Sequence, residues 1–264
     1  MAYGKSYTKS VKKTPARKYG KKSYKKSNRA PKVSVSVQKY VKRILHKEIE
    51  NKMPTPVSAQ NTTLVPIQST TWGTLIDLSS MWQIANGTGQ GNRIGDKITP
   101  TKWSFRGYIT NTSLLAIPCV IKMYIFRLKT TYETPNASTN PTDFYQYGSS
   151  SIAPANSFQD MLRPVNRDKY IIYSSRSFKV GTASGAGTST YGTNNDYKSL
   201  VAFNIPLIKH QKQKLSYNDA VNVPTNCGMY ACFAIAPADG SAGLVVGAGA
   251  PDISYDVVGE YEDA

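Results

Sequence analysis

The residues best suited to chemistry in this chain are lysines and tyrosines that alternate near the amino terminus. Residues 1–32 contain ten lysines, two arginines and no acidic residue, with four tyrosines spaced among these cations. Ammonium groups neutralise phosphates, and aromatic rings stack on bases with a stabilisation of about 1–3 kcal/mol per base. Because lysine is a point charge and not a bidentate fork, the pattern predicts phosphate neutralisation without base reading.

The candidate binding residues continue from this segment into the element that follows it. A purely solubilising tail is the alternative, but such a tail has no need of tyrosines. The basic doublets at 12–13, 17–18, 21–22 and 25–26 are also typical of a nuclear import signal. The residues predicted to contact single-stranded nucleic acid are Lys5, Lys9, Lys12, Lys13, Arg17, Lys18, Tyr19, Lys21, Lys22, Tyr24, Lys25, Lys26, Arg29, Lys32, Lys39, Lys42 and Arg43.

Catalytic and metal-binding patterns are weak in this sequence. The two histidines, His46 and His210, are flanked by lysines, and neither has a neighbouring carboxylate to orient it as a base. Cys119, Cys227 and Cys232 have neither a disulfide framework nor metal-ligand spacing, and their apolar neighbours predict small buried side chains.

Two glycine-rich segments, 87–91 and 185–187, do not open a helix after a strand. Both also lack the Gly-Lys-Ser/Thr ending of a phosphate-binding loop. The acidic residues of the body are scattered singly, so no carboxylate pair stands out as a catalytic couple. We therefore expect no enzymatic activity, and the sequence predicts no cofactor and no metal site.

The net charge divides sharply along the chain. Residues 1–52 carry 17 Lys and Arg against two acids, a net charge of +15, whereas residues 53–264 carry 16 against 14, a net of +2. A nearly neutral body joined to a polycationic segment indicates a polyanionic partner, and nucleic acid is the strongest candidate. The longest apolar run, 114–121, is far shorter than the ~20 residues of a membrane-spanning helix.

These patterns predict three regions. Residues 1–33 have too little apolar surface to offset the entropy of ordering, so we expect a basic arm that is disordered until it binds. Residues 34–56 are predicted to form a short amphipathic helix and a linker, because apolar residues recur at helical spacing from Val37 to Leu45. Residues 57–264 follow as one all-β domain.

The body has an all-β texture, in which runs of Val, Ile, Tyr, Phe and Thr alternate with turn-forming clusters. About eight antiparallel strands, joined by tight turns and by long polar loops at 130–167 and 181–197, are typical of a jelly-roll sandwich. An immunoglobulin-type sandwich is the alternative, but its Cys–Trp–Cys core spacing is missing. The predicted strands are 74–80, 102–110, 118–128, 169–179, 199–205, 213–217, 227–236 and 253–260. The clearest period-two alternations are Trp103, Phe105, Gly107 and Ile109 in the second strand and Ile121, Met123 and Ile125 in the third.

Two segments of the body resemble parts of capsid proteins from the circular Rep-encoding single-stranded DNA viruses, the circovirus and geminivirus group. They are GTGQGNRIGDKITPTKWSFRGYI, residues 87–109, and RPVNRDKYIIYSSRSFKV, residues 163–180. In that group an R-x-G-x-x-I turn and an N-R-D-K/R-Y step each lead into a strand. The matching residues are Arg93, Gly95 and Ile98 for the first motif, and Asn166, Arg167, Asp168, Tyr170 and Phe178 for the second.

The resemblance implies a capsid protein with a single jelly roll. Sixty copies would assemble into an icosahedral T=1 shell, and the arms would bring roughly 900 positive charges to a single-stranded DNA genome at one charge per phosphate. It further implies a place in the virion and, through a nuclear import carrier, in the host nucleus during assembly. The host receptor and the outward-facing loops are not predicted.

Two alternatives stay open from the residues alone. A coat protein of a small RNA or satellite virus would obey the same physics, because lysine–phosphate contacts ignore the 2′-hydroxyl. A monomeric nucleic-acid-binding protein with a basic tail is the other. A carbohydrate-binding jelly roll would also have the loops and aromatic residues, but it leaves the basic arm unexplained. Within the body we expect Arg167–Asp168 to hold a loop or a neighbour by an ion pair, and we expect the acidic residues of 252–263 to pair across subunit edges.

Overall fold

The computed structural model describes residues 34–48, 51–89, 91–111, 118–130, 141–181, 197–211, 213–218, 221–238, 240 and 249–263. The chain divides into two units, residues 1–45 and 46–264, and the first helix crosses the boundary between them. The helices and strands, in chain order, are α1 (Val35–Glu48), β1 (Val57–Thr63), β2 (Ile76–Asp77), β3 (Lys97–Thr110), β4 (Cys119–Leu128), β5 (Tyr145–Tyr147), β6 (Ser150–Ile152), α2 (Phe158–Leu162), β7 (Tyr170–Val180), β8 (Leu200–Pro206), β9 (Leu215–Ser216), β10 (Tyr230–Pro237) and β11 (Asp252–Asp263).

Helix α1 occupies the segment in which the sequence predicts an amphipathic helix. The Ser34 hydroxyl oxygen accepts a hydrogen bond from the Val37 amide at 3.4 Å, which is the arrangement of an N-cap residue. Val37 and Val41, on the predicted apolar face, are 48% and 47% exposed, so this face is open at both positions. Neither α1 nor any other described helix is long and apolar enough to cross a bilayer.

The body is all-β and consists mainly of two antiparallel sheets, which confirms the predicted fold class at that level. One sheet has the order β1-β11-β3-β8 with β9 beside β3, and the other has the order β2-β10-β4-β7. The pairs are nested along the chain: β1 pairs with β11, β2 with β10, β3 with β8, and β4 with β7. Both sheets contribute to one buried hydrophobic cluster, so they pack as a β-sandwich.

The period-two patterns in β3 and β4 predict their buried faces correctly. Trp103, Phe105 and Ile109 of β3 and Ile121 and Met123 of β4 all lie in the cluster between the sheets. Residues between them along the β3 segment are half-buried or exposed. Alternation of this kind follows from the pleat, because successive side chains of a strand point to opposite faces.

Several predicted strand boundaries are wrong. The segment 74–80 contains only β2, because the Asp77 carboxylate accepts hydrogen bonds from the Ser79 amide and hydroxyl and turns the chain into a 3-10 helix. The segment 213–217 contains only the two-residue β9. The prediction also missed β1, whose sequence VSAQNTT is polar because this strand lies at a sheet edge. The described residues contain eleven strands, not eight.

The long polar loop predicted at 130–167 is also wrong for the residues that the structure describes there. From Pro141 onward this segment forms a short 3-10 helix, the β5–β6 hairpin and α2. Phe144 and Tyr145 are fully buried, and Met161 of α2 is 8% exposed. Because these side chains are buried, residues 141–162 fold against the sheet although they are rich in turn formers. We call this segment the cover.

This cover lies on a second hydrophobic cluster at the outer face of the β2-β10-β4-β7 sheet. Trp72 stacks on Phe126 with ring centroids 5.1 Å apart, and Phe144 meets Tyr124 edge-on at 5.2 Å. Such pairs contribute about 0.5–1.5 kcal/mol beyond the area they bury. Both faces of β10 are therefore covered, and this strand is buried at every position instead of alternating.

The three cysteines are free and buried, as predicted. Burial raises the pKa of all three thiols, that of Cys119 to about 12. Because the thiolate is the reacting form, we expect the folded protein to show no reaction with a water-soluble disulfide reagent at pH 8. All three thiols should react after denaturation in guanidinium chloride. Rapid labelling of one thiol in the folded protein would contradict this assignment.

Candidate nucleic-acid interface

Three predicted binding residues lie on helix α1. Lys39 has an exposed side chain, and Tyr40 beside it is 65% exposed, so an ammonium group and a phenol ring are presented together to solvent. The structure describes the backbone of Lys42 and Arg43 on the same helix. The other predicted residues lie outside the described residues: Lys5, Lys9, Lys12, Lys13, Arg17, Lys18, Tyr19, Lys21, Lys22, Tyr24, Lys25, Lys26, Arg29 and Lys32.

The outer face of β3 and β11 balances its charges within the chain. Lys102 and Arg106 of β3 form ion pairs with Glu260 at 2.8 Å and with Asp256 at 3.5 Å on β11. The antiparallel register sets each cation directly opposite its carboxylate, the position at which cross-strand charge pairs interact. Asp256 and Glu260 of β11 thus have partners inside the chain. The sequence had instead suggested that acidic residues of this segment pair across subunit edges.

Arg93, the arginine of the first motif, is fully buried and holds loops together. Its guanidinium donates hydrogen bonds to the carbonyl oxygens of Gly95 at 2.7 Å, Ile84 at 3.3 Å and Val221 at 3.4 Å. One side chain therefore joins the loop between Ile84 and Gly95 to Val221, which lies 128 residues from Arg93 along the chain. The sequence alone suggested either ordinary turn chemistry within one subunit or a contact between subunits at this motif.

The charge of Arg93 is compensated at the same place. Its guanidinium carbon lies 4.4 Å from the centroid of the Tyr217 ring, and its Nη1 atom lies 3.4 Å from the Asp96 carboxylate. The Tyr217 hydroxyl donates to the carbonyl oxygen of Trp82 at 2.9 Å, which ties the clamp to the main core. A buried charge needs such hydrogen bonds and partners to offset its desolvation.

The second motif forms a turn that is tied to the cover described above. The Asn166 side-chain oxygen accepts a hydrogen bond from the Asp168 amide at 3.0 Å. Lys169 pairs with Asp143, and the Tyr170 hydroxyl donates to the same carboxylate at 2.8 Å. The turn is therefore fixed on both sides by side chains of the motif itself.

Arg167 is the exception within this motif. Within the described residues neither Arg167 nor Asp168 forms the expected ion pair with a loop, whereas the Asp168 carboxylate accepts a hydrogen bond from the Gln146 side-chain amide at 3.4 Å. Arg167 is exposed, and together with Lys129 it lines a groove of about 520 Å³ that follows Tyr170–Ser175 of β7. Neither cation is among the binding residues predicted from the sequence, although Arg167 lies within the second motif.

A histidine lies beside this groove. The His210 ring is 5.1 Å from the ring of Tyr173, and the His210 Nε2 atom is buried without a hydrogen-bond partner. Desolvation by burial, and then the neighbouring Lys209, lower the pKa of His210. The ring is therefore neutral near pH 7. Burying a ring nitrogen without a hydrogen-bond partner costs less in this neutral form than in the charged form.

This lowered pKa predicts a loss of stability in mild acid. The unfolded state takes up the proton near the ordinary pKa of 6.5, before the folded state does, so stability present above that pH is lost as pH falls through the lower folded pKa. We expect the guanidinium midpoint of wild type to fall more steeply between pH 7 and pH 5 than that of a His210→Gln variant. Parallel profiles for the two proteins would contradict the assignment.

Among the described residues, no group of three or more His, Cys, Asp or Glu side chains is arranged to hold a metal ion. Lys129 and Arg167 in the groove and Lys39 on α1 are exposed cations without an ion pair among the described residues, and such cations are suited to a polyanion. No protein-family model matches the chain, and no curated protein matches it in sequence.

Proposed function

We propose that this protein is a viral capsid protein that self-assembles into an icosahedral shell and packages a single-stranded DNA genome through its basic amino-terminal arm. The observation that carries the proposal is the charge partition, +15 on residues 1–52 against +2 on residues 53–264. A cationic segment of this size attached to a nearly neutral domain has to be neutralised by a polyanion outside that domain.

The ion pairs of the body support nucleic-acid binding by the arm and not by the outer face of β3 and β11. Lys102 and Arg106 are exposed, yet both have a carboxylate directly across the strand pair. A cation that is already paired gains less from a phosphate, because the carboxylate has to be displaced or tolerated nearby. The outer face of β3 and β11 is thus better suited to contacts between proteins than to nucleic acid.

The nested strand pairing supports a jelly roll as the finer description of the fold. A jelly roll results when one long antiparallel hairpin wraps around a barrel, so that the first strand pairs with the last and each inner pair follows in turn. The pairs β1–β11, β2–β10, β3–β8 and β4–β7 follow that order. The resemblance of residues 87–109 and 163–180 to capsid proteins of the circovirus and geminivirus group supports the same proposal.

The proposed mechanism is assembly and charge neutralisation, without catalysis and without a cofactor. Sixty β-sandwich bodies form the T=1 shell, and their arms supply roughly 900 positive charges to a genome on the order of one to two thousand phosphates. Before assembly, the same basic doublets serve a nuclear import carrier. The protein then acts in the host nucleus and ends in the virion.

Electron microscopy of the purified full-length protein, followed by nuclease digestion of its contents, tests the proposal. We expect closed particles of uniform size whose protected nucleic acid is degraded by DNase, and not by RNase, after the particles are opened. RNA inside the particles would favour a coat protein of an RNA or satellite virus. A monomer by light scattering that binds oligonucleotides would favour a nucleic-acid-binding protein with a basic tail. A monomer without affinity for oligonucleotides at low salt would refute all three functions.

A further inference from the structure

The groove beside β7 runs along the edge of a strand. Six consecutive residues, Tyr170–Ser175, line it together with Lys129 and Arg167. Successive side chains of a strand point to opposite faces of the sheet, so a groove that meets every residue in turn follows the strand edge. β7 is the outermost strand of its sheet, with β4 as its neighbour there.

The two cations of the groove are held at the same end of it. The Lys129 amide donates to the carbonyl oxygen of Lys169 at 2.8 Å, and the Asn166 amide donates to that of Phe144 at 2.8 Å. The backbone is thus fixed on both sides of Arg167. Neither Lys129 nor Arg167 has a carboxylate partner among the described residues. Two positive charges on a backbone held by hydrogen bonds are therefore not neutralised within the described part of the chain.

A second copy of β7 is a poor occupant of this edge. Arg176 follows on β7 beyond the groove, is exposed, and also has no ion pair within the described part of the chain. Antiparallel pairing of two β7 edges would bring Arg176 of one copy towards Lys129 and Arg167 of the other. Like charges facing each other across strands are destabilising, and cations on an edge strand disfavour edge-to-edge pairing. The occupant has to be an anion.

A carboxylate from another copy is also disfavoured. Each described acidic side chain of the body already makes an ion pair, a hydrogen bond or another interaction within its own chain. These acidic residues are Asp77, Asp96, Asp143, Asp160, Asp168, Asp252, Asp256, Glu260, Glu262 and Asp263. The described residues of the body therefore offer no carboxylate without an interaction of its own, whereas a packaged single strand carries one phosphate at every nucleotide.

We propose that this groove is a second nucleic-acid site, in which Lys129 and Arg167 hold phosphates of the single strand that the arm neutralises. Arg167 supplies a planar fork that matches two phosphate oxygens, and Lys129 supplies a point charge. The hydroxyl groups of Ser174 and Ser175 line the same groove and are donors for phosphate oxygens. The inference rests on the proposed function, because the nucleic acid is the one that the arm recruits.

The salt dependence of binding tests the proposal on the full-length protein in its dissociated state. The probe is single-stranded oligo-dT, and the variant is the double substitution Lys129→Gln, Arg167→Gln. Each phosphate contact to a single strand contributes about 0.7 to the slope of log K against log salt, so we expect the slope to fall by about 1.4. The matched control is Lys97→Gln, Lys214→Gln, which removes two exposed cations at β9 and its partner strand and should keep the wild-type slope.

Photocrosslinking keeps the test independent of how the variants fold. Wild-type protein irradiated with an oligonucleotide that contains 5-iodouracil should give crosslinked peptides from the β7 segment, identified by mass spectrometry. A slope equal to wild type in the groove variant, an equal loss in the control, or crosslinks confined to the arm and α1 would each overturn the groove site. If wild type fails to bind oligo-dT at all, the proposed function fails as well, which separates the two conclusions.

Discussion

Replacing the twelve Lys and Arg of residues 1–32 with glutamine is expected to abolish packaging and remove most of the salt dependence of nucleic-acid binding. Each phosphate contact to a single strand contributes about 0.7 to the slope of log K against log salt, so the loss of twelve contacts should change this slope by about 8. Wild type should therefore lose on the order of 10⁴–10⁵ in affinity between 50 and 200 mM salt, and the variant far less. Fluorescence anisotropy with labelled oligo-dT measures both quantities.

The tyrosines of the arm provide the matched control. Replacing Tyr3, Tyr7, Tyr19 and Tyr24 with serine removes stacking and leaves every charge in place. We expect weaker binding at all salt concentrations, by about 1–3 kcal/mol for each stacked base, and an unchanged slope. If the glutamine variant keeps the wild-type slope, the arm is not the polyanion site and the proposed function loses its main support.

The substitution Arg93→Met should have the largest effect on folding among the charged residues of the body. It leaves the carbonyl oxygens of Ile84, Gly95 and Val221 without this donor, and it removes the cation beside the Tyr217 ring. A buried polar group that loses its hydrogen-bond partner costs about 1–3 kcal/mol of unfolding free energy. Guanidinium unfolding of dissociated protein, followed by tryptophan fluorescence, measures this loss.

Arg106, an exposed arginine on β3, provides the control for the loss of stability in Arg93→Met. Arg106 pairs with Asp256 at 3.5 Å and is 55% exposed, so Arg106→Met should cost about 0–1 kcal/mol. Arg93→Lys keeps the charge but cannot replace the guanidinium fork, and an intermediate loss is expected. Equal stability of the Arg93→Met and Arg106→Met variants would show that the clamp contributes nothing to the fold.

Local patterns along the chain predicted the elements whose residues act through their immediate neighbours. Period-two alternation identified the buried faces of β3 and β4, because the pleat alone decides which side chains share a face. Apolar neighbours identified the burial of Cys119, Cys227 and Cys232. Helical spacing after Ser34 predicted α1, since a helix is specified by residues three and four apart.

Non-local contacts account for the predictions that were wrong. Residues 141–162 are punctuated by turn formers, yet Phe144 and Tyr145 find a buried site on the outer face of the β10-β4-β7 sheet. That site exists only after β4, β7 and β10 have paired, and no window of the sequence contains all three. The burial of β10 on both faces has the same cause, and it hides the alternation from which a half-exposed strand is predicted.

The sequence by itself determined where positive charge accumulates, because the position of a lysine along the chain is covalent and the first 52 residues hold almost no acid. Only the tertiary structure decided which cations of the body keep that charge available. Strand register sets Lys102 and Arg106 against carboxylates, burial turns Arg93 into a clamp, and a turn pinned by its neighbours leaves Arg167 open beside Lys129. Whether a charge is paired depends on distances across the fold, and those distances are specified by packing between residues far apart in the chain.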